Sequence, residues 1–412
     1  MSVSASELLT PSKSQHDAKV IGLISVAHFF SHFYMLLLPP LFPLLREVYN
    51  VSFTELGLAL SAFGITSALT QAPMGFLVDR VGARKILIAG LALEGLAFIL
   101  IGALPFYTAL IGGMLLAGLA NAVYHPADYS ILNASINPAR MGRAFSIHTA
   151  SGHLGDAIAP VTILALMAWI GWQGGVVIGG VLGLLAALWL SFNSSLLQQD
   201  TSPHPAHSKS ATQQTGMRLL LSLPVLMGLL FFVGIALTGG GLRGYSVAAL
   251  HELYQVSLSE AGVVLSAFLF ASPVGVLVGG WLADRVQRHD LVAASMFVLI
   301  GMSLLSVAIL SLPLPLIAVL FALAGFCTGL VAPSRDMLIR KVTPPGQTGK
   351  VFGFVSTGFN IGSIIAPVLF GYIMDQGAPK LVFWGAGLFA LLTIFTVLET
   401  GRRGRKQSTE TT

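Results

Sequence analysis

The amino-acid sequence predicts an all-α membrane protein with twelve transmembrane helices, arranged as two parallel six-helix repeats around a central cavity. Three observations support this fold class. Of the 412 residues, 55% are hydrophobic and only 9% are charged, whereas soluble domains carry about 25% charged residues. Twelve apolar runs are long enough to cross a bilayer, which takes about 20 residues. Short motifs also recur at nearly constant distance in the two halves of the chain.

The apolar runs divide the chain into two bundles with polar segments around them. The predicted spans of the first bundle are 19–44, 55–77, 84–104, 107–131, 144–170 and 172–191, and those of the second are 219–242, 259–283, 290–311, 314–338, 350–374 and 380–399. Residues 192–218 are rich in Ser, Thr, Gln and Pro, which is typical of a flexible linker. The predicted organisation is a tail at 1–18 without a cleaved signal peptide, a bundle at 19–191, a linker at 192–218, a bundle at 219–399 and a tail at 400–412.

Lys and Arg residues accumulate on the cytoplasmic side of membrane proteins. With the N-terminus inside, 18 of the 22 basic residues fall on the tails, the linker and the inner loops. Arg46, Arg243 and Lys380 fall on the other face, and Arg335 lies within a span. We therefore expect both termini to be cytoplasmic, and we expect no nucleic-acid partner despite the net charge of +5. Arg243, at the outer end of the seventh span, is interpreted as snorkelling, with attraction of an anion as the alternative.

Internal repeats connect the two bundles. Gly75-Phe-Leu-Val-Asp-Arg-Val recurs 205 residues later as Gly280-Trp-Leu-Ala-Asp-Arg-Val. Further on, small or conformationally restricted residues such as Gly118, Pro126, Gly155 and Pro160 recur 207 residues later. Since six spans is an even number, both copies have the same orientation in the membrane. They are parallel repeats, with room for a cavity between them.

The segment Gly75-Phe-Leu-Val-Asp-Arg-Val-Gly-Ala-Arg-Lys85, between the second and third spans, resembles the signature loop of the major facilitator superfamily. That resemblance implies a transporter that works by alternating access, through rocking of its two halves. It also implies a cytoplasmic gate near this loop. The residues assigned to the gate are Gly75, Asp79, Arg80, Gly82, Arg84, Asp128, Gly280, Asp284, Arg285, Arg335 and Asp336.

Within that superfamily, two stretches resemble the fosmidomycin-resistance-type exporters. One is His28-Phe-Phe-Ser-His-Phe-Tyr34 followed by the Pro-rich run 38–45, and the other is Tyr124-His-Pro-Ala-Asp128. The acid of the second stretch is displaced by one residue and is Asp rather than Glu. This resemblance implies proton-driven export of a small organic or anionic compound.

Ionisable residues within spans are costly, about 2.5–3.5 kcal/mol each on insertion scales, so each is a functional candidate. His28 and His32 are four residues apart and share one face of the first helix. They suit exchange of protons or contact with substrate. A hydrogen-bonded packing pair and a shared metal ion are the alternatives.

His153 and Asp156 share a face of the fifth helix, and with His28 and His32 they form the predicted substrate and proton-coupling site. A buried structural Asp–His hydrogen bond is the alternative for this second pair.

Asp128 and Arg335 occupy equivalent positions in the repeat and are assigned to gating. Asp128 is expected to join Asp79 and Arg84, whereas Arg335 is expected to serve Asp284 or Asp336. Constantly formed stabilising pairs are the alternative there. The remaining intramembrane ionisable residues are Glu94, assigned a structural role, His125 and His148.

The sequence as a whole predicts a secondary active transporter in a bacterial-type inner membrane. It has no phosphate-binding loop of the form G-x-x-x-x-G-K-[ST], no nucleophile–base constellation and no cofactor or metal motif, so neither an enzyme nor a metal site is predicted. The leading hypothesis is proton-coupled efflux of a small molecule by a monomer, with protons as the coupling ion. Proton symport that imports a metabolite or anion is the alternative. A metal transporter and a non-transporting sensor are further ones.

Overall fold

The long apolar runs form helices because a bilayer offers no water, so each backbone N–H and C=O is satisfied within its own segment. The computed structural model describes residues 13–137, 140–197, 219–343 and 347–410, and in these ranges the regular secondary structure is helical. The helices are α1 (Lys13–Met35), α2 (Phe42–Tyr49), α3 (Phe53–Val81), α4 (Ala83–Ala103), α5 (Tyr107–Asn121), α6 (Tyr124–Ser135), α7 (Met141–Phe192), α8 (Leu223–Tyr254), α9 (Leu258–Ala283), α10 (His289–Ile309), α11 (Leu314–Lys341), α12 (Thr348–Asp375) and α13 (Lys380–Glu410).

Within the described ranges, 11 helices or joined helices are long and apolar enough to cross a membrane. The longest, α7, has 52 residues. A straight helix of that length would measure about 78 Å, against a bilayer core of about 30 Å. The chain reverses at Gly171, where φ is +75° and ψ is 166°, a backbone conformation that favours glycine. Gly175 consequently packs against Ile163 and Leu166. The two limbs of α7 therefore account for the two spans predicted on either side of residue 171.

The duplication is visible in how two equivalent helices begin. At the start of α3, the Ser52 side chain accepts a hydrogen bond from the Glu55 amide and the Glu55 carboxylate accepts one from the Ser52 amide. Ser257 and Glu260, 205 residues later, form the same reciprocal capping box at the start of α9. Each box satisfies two amides that have no partner inside the helix.

The two bundles touch at one end of the molecule, which we call the closed end. Here the Asp375 carboxylate at the end of α12 accepts hydrogen bonds from the amides of Phe53 and Thr54, at 2.7 and 2.8 Å. Further along the same helix pair, the Ser61 hydroxyl donates to the Ile364 carbonyl at 2.7 Å. The α7–α9 pair makes a second contact, since Ser266 donates to the Ala157 carbonyl at 3.4 Å.

The bundles separate towards the opposite end, which carries the Gly75–Lys85 loop and which we call the motif end. Gly57, Gly64 and Gly75 fall close to one face of α3. A Cβ added at Gly57 would overlap the Pro367 carbonyl, one at Gly64 would lie 3.6 Å from Ile364, and one at Gly75 would meet nothing within 4 Å. The structure is therefore closed at one end and open at the other.

Both ends of the described chain lie at the motif end. Asp17 in α1 forms an ion pair with Arg140, at 2.9 Å, in the segment after α6. Gly404 in α13 approaches Lys341 and Val342 at the end of α11. The basic loops lie at this end as well. Most of the predicted linker, residues 198–218, and most of the predicted N-terminal tail, residues 1–12, fall outside the described residues.

Candidate functional site

A cavity of about 430 Å³ lies between the two bundles. Its wall is mostly apolar, with side chains such as Leu60, Phe63, Met114 and Phe268. Three ionisable side chains also line it: His153 and Asp156 from the first bundle, and Arg243 from the second. An apolar wall with a few convergent polar groups is the usual form of a small-molecule site.

The charged centre of this cavity is an ion pair that joins the two bundles. The Arg243 guanidinium on α8 contacts Oδ2 of Asp156 on α7. His32 Nδ1 on α1 lies 3.1 Å from the same oxygen. The Asp156 side chain is only 3% exposed, and that of Arg243 is 36% exposed to the cavity. The interpretation of Arg243 as a snorkelling residue is therefore wrong: its side chain points into the cavity and pairs with a buried carboxylate.

Close helix packing makes room for these groups. α7 approaches α1 so tightly that a Cβ at Gly155 would overlap the Phe29 carbonyl. One turn earlier, a Cβ at Gly152 would lie 2.8 Å from the His28 ring and 2.9 Å from the His32 ring. The glycines of α7 thus leave the space that the two imidazoles of α1 occupy. Because of this close approach, His28 and His32 on α1 meet His153 and Asp156 on α7, although up to 128 positions of sequence separate them.

Behind the cavity wall, further histidines surround His28. Its ring stacks on that of His148 with centroids 3.8 Å apart. The ring of His32 lies 4.8 Å from it and that of His125 5.5 Å away. His153 continues the group through His32, at 6.4 Å. The structure thus brings the predicted coupling residues together and adds His125 and His148, which periodicity alone did not join to them.

In this open conformation, the Asp128 side chain contacts histidines of this group. Its Oδ2 lies 2.9 Å from His148 Nε2 and 3.6 Å from His28 Nδ1. The Asp128 side chain is completely buried. The expected contact with Asp79 and Arg84 is absent from the described residues. Asp128 lies on the side of α6 that faces α1 and α7, so its carboxylate points at those helices.

Glu94 forms a separate buried network beside the cavity. Tyr124 donates its hydroxyl to one carboxylate oxygen at 2.7 Å, and Asn121 donates to the other at 3.4 Å. Asn121 itself lines the cavity. The network ties α4 to α5 and α6.

At the motif end, the predicted gate residues of the first bundle are not paired with each other in this open conformation. Arg84 donates to the Ser194 carbonyl at 3.2 Å, and no described residue forms an ion pair with Asp79. Gly82, with φ of +104°, separates α3 from α4. Gly75 and Gly280 face open space, and Arg80 is exposed.

The second bundle has its own contacts at this end. Arg335 pairs with Asp336 at 2.8 Å, one of the two partners considered for it. Its guanidinium also lies 5.0 Å from the ring of Phe232. Arg285 stacks on Trp281 at 4.1 Å, and in the described part of the chain its guanidinium forms no ion pair with Asp284. Lys341 donates to the Gln287 carbonyl at 2.8 Å, which connects α11 to the loop after α9.

Comparison with known proteins covers almost the whole chain. The family model described as Major Facilitator Superfamily matches residues 24–249 and 232–412. The fosmidomycin resistance protein of Escherichia coli is 24% identical over 398 residues, which is 93% of each chain. A probable sulfoacetate transporter of Cupriavidus necator is 25% identical over 410 residues, 93% of this chain and 94% of that one. A multi-drug resistance efflux pump of Streptococcus pneumoniae is 25% identical over 381 residues, 88% of this chain and 91% of that one.

Solved structures show the same fold. The crystal structure of a bacterial homologue of the human lysosomal transporter Spinster, in an inward-facing and unoccupied conformation, matches with a TM-score of 0.73. The match covers 94% of this chain and 96% of that chain at 15% sequence identity. The predicted all-helical membrane fold with two repeated halves is confirmed, and so is the family resemblance.

Proposed function

The chain belongs to the major facilitator superfamily of membrane transporters, and from this premise we propose that it moves a small organic anion together with a proton. The observation that carries the proposal is the Asp156–Arg243 pair, which joins the two bundles inside the cavity. The motif end is the cytoplasmic end in this proposal, as the basic loops indicate, and the structure is then the inward-open state.

The Asp156–Arg243 pair couples a proton to an anion by competition. The solute anion competes with Asp156 for Arg243, and the proton competes with Arg243 for Asp156. While Asp156 is ionised, it occupies the Arg243 guanidinium. A proton on Asp156 removes its charge and frees Arg243 for the anionic group of a solute. Conversely, a solute anion on Arg243 leaves Asp156 without a counter-ion in a buried site, and a buried carboxylate without a partner takes up a proton. Each ligand therefore favours the binding of the other, and such coupling is reciprocal.

Positive coupling of this kind favours symport over exchange. In an exchanger, the proton and the solute must exclude each other, as they would if a cationic solute bound to Asp156. The chemistry of the cavity indicates an anion, because Arg presents a planar fork of donors that matches carboxylate, sulfonate and phosphonate groups. The names of three relatives agree with this: a probable L-galactonate transporter, a probable galactarate/D-glucarate transporter and a probable sulfoacetate transporter.

Proton-driven efflux is the second candidate function. It rests on two relatives whose names describe resistance, the fosmidomycin resistance protein and the multi-drug resistance efflux pump. Efflux by antiport requires proton and solute to displace each other, so the sign of the coupling separates the two candidates.

The test is proton flux in proteoliposomes that contain the purified protein and a trapped pH-sensitive dye. Sulfoacetate, galactonate and glucarate are added outside one at a time, with the membrane potential clamped. Symport acidifies the lumen as the solute enters, whereas exchange makes the lumen alkaline. Carriers run in both directions, so the sign does not depend on the orientation of the protein in the liposome.

Asp156→Asn is the decisive variant, and Glu47→Gln is its matched control. Glu47 is an exposed carboxylate outside the cavity. We expect Asp156→Asn to abolish the solute-dependent pH change and Glu47→Gln to preserve it. Alkalinisation by the unaltered protein, or an unchanged pH response in Asp156→Asn, contradicts the proposal.

The other predicted roles follow from these positions. His32 holds the Asp156 carboxylate, His153 contributes to the cavity wall, and His28 lies behind both. We propose that the gate residues of the motif end pair when that end closes, which the structure leaves open. Function as a monomer in a bacterial inner membrane, with both termini cytoplasmic, stays a prediction.

A further inference from the structure

Three side chains in the first bundle converge at a place separate from the Asp156–Arg243 pair. They are His28 on α1, Asp128 on α6 and His148 on α7. One potential ligand atom from each lies within 4.8 Å of the other two. All three residues are buried, and the side chains of Asp128 and His28 are 0% and 5% exposed. Each comes from a different helix, so anything bound among them would connect the three helices.

Two polar atoms of this cluster have no hydrogen-bond partner among the described residues. They are Nδ1 of His28 and Oδ1 of Asp128. The 3.6 Å between His28 Nδ1 and Asp128 Oδ2 is too long for a hydrogen bond. Buried side-chain polar atoms in proteins are nearly always partnered, and an orphaned one requires an explanation such as an ion or a water. Two such atoms in one buried cluster therefore point to a bound ion or water at this place.

The donor set fits a metal ion. Neutral imidazole and carboxylate are the nitrogen and oxygen ligands of zinc and of similar transition ions, at about 2.0–2.2 Å. Tetrahedral ligands at that distance lie about 3.4 Å from each other. Asp128 Oδ2 lies 2.9 Å from His148 Nε2 and 3.6 Å from His28 Nδ1. These two separations lie on either side of the tetrahedral value; the first is a hydrogen bond in this structure, and all three ligand atoms lie within 4.8 Å of one another.

His125 lies beside this cluster, although it is not one of the three residues whose ligand atoms converge. It precedes Asp128 by three residues on α6, so both lie on one face of that helix. Its ring centroid is 5.5 Å from that of His28, and the residue is exposed. His32, which sequence spacing pairs with His28, is instead held by Asp156.

We propose that His28, Asp128 and His148 bind one transition-metal ion of the zinc class that ties α1, α6 and α7 together. The ion is a resident of the first bundle and not the transported solute, because its ligands lie behind the cavity wall. This proposal is independent of proton–anion symport, which rests on Asp156 and Arg243.

The test measures metal binding by the purified full-length protein in detergent, without a histidine tag. The protein is stripped with a chelator, dialysed and titrated with Co²⁺, whose visible absorption reports tetrahedral nitrogen and oxygen ligands, and then with Zn²⁺ as competitor. We expect one ion per chain, displacement of Co²⁺ by Zn²⁺, and a higher midpoint of thermal unfolding with Zn²⁺, since a ligand of the folded state stabilises it.

His148→Gln and His125→Gln are the test variants, and His251→Gln is the matched control. His251 lies on α8 in the second bundle, where its ring contacts the Val256 carbonyl. We expect at least a 100-fold loss of metal affinity in His148→Gln and a smaller loss in His125→Gln. Because His125 is exposed, its replacement should leave the fold intact, so a loss of affinity there is not caused by misfolding. His251→Gln is expected to bind like the unaltered protein. Absence of stoichiometric binding to the folded protein, or equal binding by all three variants, overturns the proposal.

Discussion

The two bundles share one helical plan but differ in the chemistry of their interiors. On the limb of α7 before Gly171, the side chains of His148, His153 and Asp156 point at α1, α6 or the cavity. The positions 207 residues later hold Val355, Asn360 and Ser363. Val355 is completely buried in a small apolar cluster with Val225, Phe232, Ile339 and Val351.

This difference separates what the fold requires from what a site requires. The second bundle shows that an apolar side chain fills the position of His148 without loss of the helix plan. Replacing buried ionic groups by well-packed apolar ones is often neutral or stabilising. The helix plan therefore does not require an imidazole at position 148, and His148 indicates a ligand, a proton or a metal ion. Four predictions test that interpretation.

The largest effect is expected from Asp156→Ser, which gives position 156 of the first bundle the residue found at the equivalent position 363 of the second bundle. Asp156→Ser removes the only carboxylate that pairs with Arg243 among the described residues. We expect the solute-dependent proton flux to be abolished, as in Asp156→Asn, because the buried group that takes up the proton is gone. The measurement is the proteoliposome assay described above. Ser363→Ala, at the equivalent position, is the control and should keep its flux.

The reverse exchange tests the second bundle. Val355→His buries an imidazole where Arg335, and not an aspartate, occupies the position equivalent to Asp128. An unsatisfied buried polar group costs about 1–3 kcal/mol, so we expect a lower midpoint of thermal unfolding. Ser356→His, at the neighbouring exposed position, should leave the midpoint unchanged. Equal midpoints for both variants would mean that the second bundle accepts an ionisable interior as readily as the first.

The closed end carries a further asymmetry between the bundles. Asp375 at the end of α12 caps the start of α3, whereas the residue 207 positions earlier is Ala168. Asp375→Asn removes the charge from these hydrogen bonds, and a loss of about 1.4 kcal/mol shifts a two-state equilibrium about tenfold. We expect the population with a separated closed end to rise accordingly.

Spin labels at Val48 and Gln376, in a variant with Cys327→Ser, measure that separation directly. Lys380→Gln removes another charge from the same end and serves as the control. A distance distribution that does not change in Asp375→Asn would show that the cap does not hold the closed end.

The smallest effect is expected at the ion pair of Arg335 and Asp336. The Asp336 side chain is 50% exposed, and exposed pairs contribute about 0–1 kcal/mol. Asp336→Asn should therefore change the midpoint of thermal unfolding little, in contrast to Asp128→Asn, which removes a charge from a buried cluster. A large loss of stability in Asp336→Asn would show that position 335 depends on its partner as strongly as position 128 does.

The composition and the periodic motifs were enough to predict the helical membrane fold, the duplication and the family. The break at residue 171 was also predicted, because two apolar runs of spanning length meet there. The intramembrane ionisable residues were identified as candidates one by one. Arg243 was misassigned, because its position at the end of a span suits a snorkelling side chain as well as one that points into a cavity.

The sequence by itself thus determined which segments cross the membrane and which residues are unusual there, since hydrophobic length and the cost of burying charge are local properties. Only the tertiary structure decided the partners: Asp128 with His148 and His28, and Asp156 with His32 and Arg243. Those contacts join residues on different helices, and they depend on how each helix is rotated about its axis. That rotation is set by close packing at positions such as Gly152 and Gly155, and packing of this kind has no signal in the spacing of residues along one helix.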